Sequence, residues 1–417
     1  MKKILLFLAG LLLAVALIGA AMLWLTLRAL APQPGEWATT LRLGSIERSA
    51  SVPTLLRWGS HPLALPHLDG RRLGGWQLRR LDEHTLEAHC APCRLQLAAL
   101  GPQPLVIDAA RLRIHVRGAD RFDGTLRLGS DTEPVSLAWR AELKRDGLQL
   151  QAELPATPLA RLLAVFGDAL PEARQARITG SVALRAEANW DAQGLRLVKL
   201  KPVLADVAVE GLGTESLRDA DAGARCRPQP ATGRIEGWIQ NAVIAAEDQR
   251  FFEHPGYELD AWVAVLKANQ RDGEPLQGAS TITQQLAKLL YTGDARDPMR
   301  KLREWLYAVE MERTLGKGRI LQLYLAVLPW GDGICGAEAA ARHHLGKPAH
   351  LLKPREAAWL ASLLVNPDQQ LRRWALEEEA ARERAAWVLK GIKRLPRERR
   401  EAELDALVSW RPPIGRR

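Results

Sequence analysis

The spacing of apolar residues changes once along this 417-residue chain, and that change limits the folds available to it. Before a linker at Gly211–Gly233, which is rich in Gly, Asp, Arg and Pro, apolar and polar residues alternate, as in a β-strand with one buried face. After the linker the period becomes 3.6, which indicates α-helices. We therefore predict an α+β multidomain chain with a β-rich domain at 31–230, including the linker, and a mostly α domain at 231–417.

Two stretches of the β-rich segment alternate most clearly. Val135–Leu143 and Leu148–Leu154 flank the turn residues Asp146-Gly147, and a similar alternation precedes and follows a turn near 191–194. Alternation on both sides of a short turn predicts a β-hairpin. Nothing in this segment has catalytic spacing, so we interpret it as a packing or partner-binding domain.

The N-terminus carries an apolar run, Ile4–Leu27, directly after Lys2 and Lys3. Its length of about 24 residues would extend roughly 36 Å as a helix, enough to cross the hydrocarbon core of a membrane. A cleaved signal peptide usually has a shorter apolar core, of about 7–15 residues, but the small residues Gly19-Ala20-Ala21 keep that alternative open. Lysines on so short a tail favour a cytoplasmic N-terminus. We predict a transmembrane signal anchor within residues 1–30, with the rest of the chain outside the cytoplasmic membrane.

The net charge and the cysteines suit an exported chain. A net charge of +10 fits anionic headgroups or a phosphorylated substrate. Nucleic acid is not an expected partner, because no zinc-finger, RNP-type or basic-zipper pattern occurs. Four cysteines in an exported chain allow three disulfide pairings. We predict a local Cys90–Cys93 disulfide, since no second Cys/His pair stands at metal-ligand spacing, and this leaves Cys226 and Cys335 as the other pair.

The helical region opens with two carboxylates followed by aromatic residues, Glu247-Asp248-Gln249-Arg250-Phe251-Phe252-Glu253-His254-Pro255-Gly256. An apolar stripe of Ile239, Val243 and Ala246 places Glu247 near the end of a partly buried helix. A carboxylate held against aromatic rings loses hydration, and its pKa rises toward values useful to a general base. Alone, this segment fits either a catalytic base or a solvated acidic helix end.

The second candidate segment is a helix start rich in hydroxyl groups, Gly278-Ala279-Ser280-Thr281-Ile282-Thr283-Gln284-Gln285-Leu286-Ala287-Lys288. Thr281 and Gln284 have capping-box spacing. Thr281, Gln285 and Lys288 share the face opposite the apolar residues. Hydroxyl and backbone donors at a helix start, with a lysine two turns along, predict a phosphate cradle, and the alternative is a well-capped surface helix.

The third candidate segment is Asp297-Pro298-Met299-Arg300-Lys301-Leu302-Arg303-Glu304. Asp297 as N-cap and Pro298 at the first helical position predict a helix start. Arg300 and Glu304 are one turn apart, and structurally that is an ordinary ion pair of about 0.3–0.5 kcal/mol. Functionally, a carboxylate steadied by arginine can hold a diphosphate, directly or through a divalent ion.

In this order the three segments resemble the signature motifs of glycosyltransferase family 51, the peptidoglycan glycosyltransferases of class A penicillin-binding proteins and of monofunctional enzymes. The family patterns E-D-x-x-F-x-x-H-x-G, G-x-S-T-[IL]-T-Q-Q-L-x-K and R-K-x-x-E match at every fixed position. A fourth segment, Arg319–Ala326, is similar to the family's R-I-L-x-x-Y-L-N. The resemblance covers residues 231–395 and does not reach the β-rich segment.

The resemblance implies a lysozyme-like domain outside the bacterial cytoplasmic membrane, in the periplasm, that joins lipid II units into glycan strands with inversion at the anomeric carbon. Glu247 resembles the catalytic base and Glu304 the second catalytic glutamate, with Mg²⁺ or Mn²⁺ as an implied metal at the diphosphate and no organic cofactor. Lipid II, the glycan strand, the membrane and, through the β-rich domain, cell-wall synthesis proteins are the implied partners. The substrate-binding residues by motif position are Asp248, Phe251, His254, Ser280, Thr281, Gln285, Lys288, Arg300 and Lys301.

Two positions depart from the family pattern, because Leu289 and Ala326 stand where asparagine is usual. Both changes remove amide hydrogen bonds rather than charge. They keep open a catalytically weak or inactive scaffold that binds lipid II or glycan for a partner, although the intact pair Glu247 and Glu304 argues against it. A glycan-cleaving, lysozyme-like enzyme would have no use for the phosphate-binding cations. A transpeptidase is excluded, since the sequence contains no Ser-x-x-Lys.

Overall fold

The computed structural model describes residues 17–19, 21–22, 24–43, 46–95, 104–130, 132–219, 235–268, 280–294, 299–331 and 333–413. The chain divides into two compact units. Unit 1 comprises Met1–Gly167 and Ser181–Ala205, and unit 2 comprises Asp168–Gly180 and Asp206–Arg417. The predicted domain boundary at 230/231 falls outside the described residues and stays a prediction.

Unit 1 is built mainly on antiparallel strands. The strands found in the described part of the chain, β1 to β13, are Ala38–Leu43, Ile46–Ser51, Arg72–Leu73, Trp76–Arg80, Thr85–Cys90, Cys93–Leu95, Leu105–Ile107, Ala110–Val116, Arg121–Leu128, Val135–Leu143, Leu148–Pro158, Arg177–Asp191 and Gly194–Glu210. Within the described residues the main sheet has nine strands in the order β13-β12-β11-β10-β9-β8-β5-β4-β3. β1–β2 and β6–β7 form separate two-stranded sheets.

Unit 2 is mainly helical. Among the described residues after Pro34 the α-helices, numbered α1 to α14, are Val52–Gly59, Leu65–Leu68, Leu159–Ala164, Glu172–Gln175, Trp238–Glu247, Leu259–Ala268, Ile282–Ala287, Arg300–Thr314, Gly316–Val327, Ala337–Leu345, Pro354–Ser362, Pro367–Leu376, Glu378–Gly391 and Arg397–Ser409. The first three belong to unit 1 and the others to unit 2. A π-helical turn, Lys288–Thr292, continues α7.

Both predicted hairpins are present. β10 and β11 pair around the turn at Asp146-Gly147, with Leu143 opposite Leu148. A Cβ atom at Gly147 would lie 2.7 Å from the carbonyl oxygen of Trp190, so the turn accepts only glycine. β12 and β13 are neighbours in the same sheet and form the second hairpin. The alternation therefore predicted both the strands and their pairing, because each apolar set shares one face of the sheet.

Two predictions about export have different outcomes. The disulfide between Cys90 and Cys93 is confirmed. Cys335 is also disulfide-bonded, but its predicted partner Cys226 lies outside the described residues. Most of the predicted anchor Ile4–Leu27 lies outside them as well. In the part of the chain that the structure describes, no helix combines the length and apolar character needed to cross a membrane.

The helices of unit 2 surround one apolar core. Its largest fully buried side chains include Trp330, Trp359, Tyr324 and Phe251. α11 packs against both α5 and α13, and α8 packs against α7. Burial of this apolar surface is the main source of stability. The predicted mostly α character of this region is confirmed, and α5, α7 and α8, which carry the three motifs, belong to the same unit.

Helix α8 is also held by two chain segments that lie outside the motifs. The buried carboxylate of Glu310 accepts the backbone N–H groups of Leu212, at 2.7 Å, and Thr214, at 3.2 Å. Arg303, earlier on the helix, donates to the buried Glu172 at 2.6 Å. Buried carboxylates are stable only with such partners. The segments that flank the β12–β13 hairpin therefore fix the position of the helix that carries the third motif.

We expect Glu310→Ala to lower the free energy of unfolding of unit 2 by about 2–4 kcal/mol, because it leaves two backbone donors without their acceptor. Urea unfolding followed by circular dichroism measures the change. Arg313→Ala is the matched control on the same helix, since it removes only a half-exposed ion pair with Glu210, which contributes at most about 1 kcal/mol. Equal losses in the two variants would contradict the role assigned to Glu310.

Candidate active site

Glu247 is the last residue of α5, as predicted. The buried residues Ile239 and Val243 fix that helix in the core. The Gln285 side-chain Nε2 donates to Glu247 Oε2 at 2.9 Å. Tyr324, on α9, donates its hydroxyl hydrogen to Gln285 Oε1 at 2.6 Å. The candidate base is therefore held by a hydrogen bond from the second motif.

The surroundings of Glu247 raise its proton affinity. Burial raises the pKa of Glu247 above the ordinary 4.5, and the charge of Asp248 adds to the rise. The hydrogen bond from Gln285 and the charge of Arg384 act in the opposite direction. Arg384 lies on α13, where burial lowers its own pKa, and its Nε donates to the Ser362 carbonyl oxygen at 3.0 Å. A carboxylate of raised pKa that remains partly open to solvent is suited to accept a proton.

Asp248 joins the first motif to the second. Both of its carboxylate oxygens lie 3.0 Å from His254 Nε2, and Oδ2 accepts the backbone N–H of Ile282 at 3.0 Å. The Gly256 N–H donates to His254 Nδ1 at 3.1 Å. Because Nδ1 is the acceptor in that bond, Nε2 carries the ring hydrogen and donates it to Asp248. Asp248 and His254 are both buried, so they position the site.

Phe251 does not line the site, and the prediction that it binds substrate is wrong. Its side chain is fully buried, with the ring against Phe252 and His254 and the Lys317 Nζ 4.5 Å from its centroid. Burial is the leading cause of the raised pKa of Glu247. Phe251 is a core residue that closes the loop of the first motif.

The second motif forms the predicted capping box. Thr281 Oγ1 accepts the backbone N–H of Gln284, and the Gln284 side chain accepts the N–H of Thr281. Asp248 takes the N–H of Ile282, so the N–H groups of Thr281, Ile282 and Gln284 are bonded inside the protein. These three donors are not free to bind a phosphate, as the predicted phosphate cradle required of the helix start. Thr281 is buried and also donates its hydroxyl hydrogen to the Gly256 carbonyl oxygen at 2.6 Å.

Lys288 begins the π-helical turn, in which the N–H of Gly293 bonds to the Lys288 carbonyl oxygen at 2.9 Å. Such turns occur often at functional sites. The Lys288 Nζ lies 2.7 Å from Asp294 Oδ1, and its side chain is 37% exposed, so it can reach a ligand. Leu289, where the family usually has asparagine, packs its side chain against the main core of unit 2, as does Ala326.

The third motif surrounds a buried carboxylate with cations. The Glu304 side chain is 0% exposed, with Arg300 Nε 3.2 Å from Oε1 and Lys301 Nζ 2.6 Å from Oε2. Lys301 also donates to Ser280 Oγ at 2.6 Å, which links the third motif to the second. Its predicted N-cap Asp297 lies outside the described residues, and α8 begins at Arg300. Arg300 and Lys301 remain partly exposed, whereas Glu304 is buried. The two positive charges are therefore accessible to a ligand, and the negative charge is not.

The donor set at Glu304 is one carboxylate and two cations, which does not fit a resident divalent ion. Among the described residues, no group of three or more His, Cys, Asp or Glu side chains is arranged to hold a metal. A metal-bridged diphosphate stays a prediction of the sequence.

Sequence reasoning did not place three residues at the site, Tyr324, Arg384 and Glu312, although Tyr324 is the tyrosine of the fourth segment, Arg319–Ala326. Glu312 accepts the hydroxyl hydrogen of Thr283 at 2.5 Å and pairs with Lys317 at 2.8 Å. A Cβ atom at Gly256, whose φ is +88°, would lie 2.7 Å from Glu312 Cγ. Gly256, the glycine of the first motif, is therefore required, because the Glu312 side chain, which follows the third motif, leaves no room for a Cβ atom.

The part of the chain that makes these contacts matches a known protein family. A family model described as Transglycosylase matches residues 220–393, which hold the three motifs. A relative from Azoarcus sp. (strain BH72) is 45% identical over 153 residues, 36% of this chain and 66% of the relative. One from Aeromonas hydrophila is 49% identical over 134 residues, 32% of this chain and 57% of the relative. The chain thus spans less than two thirds of the length of these two relatives.

A third relative, from Nitrosospira multiformis, is 39% identical over 154 residues, 37% of this chain and 67% of its own length. All three are named biosynthetic peptidoglycan transglycosylase. The shared region contains the hydrogen-bonded Glu247, Asp248 and Glu304 described above. The chain therefore belongs to the transglycosylase family, glycosyltransferase family 51.

Proposed function

We propose that this chain is a peptidoglycan glycosyltransferase that polymerises lipid II, with Glu247 as general base. One observation carries the proposal. A carboxylate with a raised pKa, Glu247, and a cation-rich site around Glu304 are joined through the second motif, by Gln285 on one side and Ser280 on the other. A base and an anion site within one rigid framework match a reaction that takes a proton at one end and releases a diphosphate at the other.

The proton transfer assigns a role to each group around Glu247. Ionised Glu247 accepts the proton of the 4-hydroxyl of the acceptor sugar as that oxygen attacks the anomeric carbon of the donor. The new glycosidic C–O bond forms while the bond from that carbon to the diphosphate oxygen breaks, with inversion. Gln285 holds the carboxylate, and Arg384 stabilises its ionised form. The pKa rise makes the carboxylate a stronger base than an exposed glutamate.

The leaving group is a polyprenyl diphosphate, whose negative charge grows as the bond breaks. Arg300 and Lys301 already face a carboxylate, so they are held in place before a substrate arrives. Lys288 carries its charge on a side chain that is partly exposed. Cations fixed in advance stabilise the developing charge without reorganising in the transition state. This assignment accounts for the three cations that the alternative of a glycan-cleaving enzyme leaves unused.

We extend the proposal to the location of the chain. The apolar run Ile4–Leu27 after two lysines supports a single-pass anchor in the bacterial cytoplasmic membrane, with the catalytic unit in the periplasm. The Cys90–Cys93 disulfide supports an oxidising compartment. An anchor of this kind would keep the enzyme beside its lipid-linked substrate. The β-rich unit is proposed to bind cell-wall synthesis proteins, since no catalytic cluster was found in its sequence.

Replacing the base should abolish activity and keep the fold. Glu247→Gln keeps size and hydrogen bonding but cannot accept the proton, so we expect lipid II polymerisation by the full-length protein in detergent to fall at least about 10²-fold. Because burial raises the pKa of Glu247 in the folded state, its ionisation costs stability as pH rises from the unfolded toward the folded pKa. The variant should therefore melt at or above the wild-type temperature at pH 7. Near-normal turnover would move the base to another residue.

The acidic limb of the pH–rate profile should report the same carboxylate. Since the pKa of Glu247 is raised and the base must be ionised, kcat/KM should fall as pH drops through a value above 4.5. Arg384→Gln removes a charge that lowers this pKa, so its acidic limb should move to higher pH. The profiles are measured at constant ionic strength. A limb that moves to lower pH in Arg384→Gln would show that Glu247 is not the titrating group.

Lys288→Ala should weaken substrate binding with little effect on stability. The variant loses a charge-assisted bond to the diphosphate, and we expect kcat/KM to fall roughly ten- to a hundredfold. Its melting temperature should change little, because a surface ion pair contributes at most about 1 kcal/mol. Asp294→Asn is the matched control, since it breaks the same ion pair and keeps the cation. Comparable losses of binding in both variants would make the pair, rather than the lysine charge, the important feature.

A further inference from the structure

The side chain that orients Glu247 is itself oriented by a third residue. We infer that Tyr324 is a positioning residue, which fixes the Gln285 amide with its N–H group toward the Glu247 carboxylate and thereby keeps the base ionised. The inference deepens the proposed function and rests on Glu247 being the base. Tyr324 lies on α9, outside the three motifs that carry the charged groups of the site.

The hydrogen bonds have one direction. An ionised carboxylate only accepts, so the group that Gln285 presents to Glu247 Oε2 at 2.9 Å is its Nε2. The opposite end of the same amide, Oε1, only accepts, and the Tyr324 hydroxyl lies 2.6 Å from it. Tyr324 is 0% exposed. The phenol hydrogen is therefore committed to Gln285, and burial raises the pKa of Tyr324 well above its ordinary value, so it stays protonated.

The orientation matters because the two ends of an amide have nearly the same shape. Reversed, Gln285 would place Oε1 against Glu247, where an ionised carboxylate is repelled and a protonated one can donate. The reversed amide therefore favours the protonated form of the base. In the observed orientation Oε1 receives a hydrogen from Tyr324, whereas reversal would leave that buried hydroxyl without its acceptor. Tyr324 thus selects the amide orientation that supports the ionised base.

Two charged groups near Glu247 affect its ionisation independently of the hydrogen bonds that connect Tyr324, Gln285 and Glu247. Arg384, from α13, favours the ionised carboxylate, and Asp248, the next residue along the chain, disfavours it. Neither bonds to the Gln285 amide in the described hydrogen bonds. In the described hydrogen bonds, Tyr324 is connected to Glu247 through Gln285.

The test compares the pH profile of kcat/KM with and without Tyr324→Phe, in the wild-type protein and in the Gln285→Met variant. Tyr324→Phe removes only the hydroxyl, and we expect the acidic limb of kcat/KM to move up by about 0.5–1 pH unit, a three- to tenfold change in the ionisation constant. Gln285→Met should move the limb upward by itself, and adding Tyr324→Phe to it should cause no further shift. An equal shift in both backgrounds, or none in the wild-type background, overturns the inference. Tyr307→Phe, a tyrosine whose ring stacks on Tyr291, is the control and should leave the limb in place.

A second readout separates this inference from the proposed function. Infrared titration of the full-length protein follows the carboxyl band that disappears in Glu247→Gln, and it measures the Glu247 pKa without any turnover. An upward shift in Tyr324→Phe in a protein without polymerase activity would support the positioning role and reject the proposed reaction. Normal activity with an unmoved carboxyl band would do the reverse. Melting curves of each variant establish that the comparison is between folded proteins.

Discussion

The geometry of the site depends on the hydrogen bonds that the Asp248 carboxylate accepts. This carboxylate receives a hydrogen from His254, in the loop that follows the candidate base, and the first backbone N–H of α7. Two chain segments far apart in sequence are therefore fixed to one buried group. A buried anion is costly unless each of its lone pairs has a partner. These hydrogen bonds also set the position of Glu247 relative to Gln285, because Glu247 directly precedes Asp248 and Gln285 lies on the same helix as Ile282.

A second buried charge gives the anion site its character. Glu304 is buried with Arg300 and Lys301 on its two oxygens, and the cations remain partly exposed. Removing one member of such a set leaves a buried charge without a partner. The free-energy cost of that charge is larger than the stabilisation that the ion pair contributes. The carboxylate thus serves to hold two flexible side chains at a defined place. A ligand phosphate meets cations whose positions are set by the protein.

Local patterns predicted local structure well. The capping box of Thr281 and Gln284 and the hairpin around Asp146-Gly147 depend on residues within a few positions of each other, and both are present. Contacts between distant segments left no local signal. Glu310 bonds to Leu212 and Thr214 from another part of the chain, and Arg384 reaches Glu247 from α13. Phe251 was misassigned for a related reason, since a motif position indicates that a residue is needed without indicating whether it contacts substrate or core.

The π-helical turn at Lys288–Thr292 has a consequence for how this helix can change length. A π turn holds one residue more than an α-helical turn, so the chain here carries an extra residue without losing its ladder of hydrogen bonds. Deletion of a single residue from Leu289–Thr292 could restore regular α-helix while leaving α7 and its cap untouched. Lys288 would then keep its place, whereas the remaining side chains of the turn, up to Thr292, would rotate around the helix axis. The turn is thus a point at which insertions and deletions can change the side chains next to Lys288 while Gln285, which holds the base, remains in register.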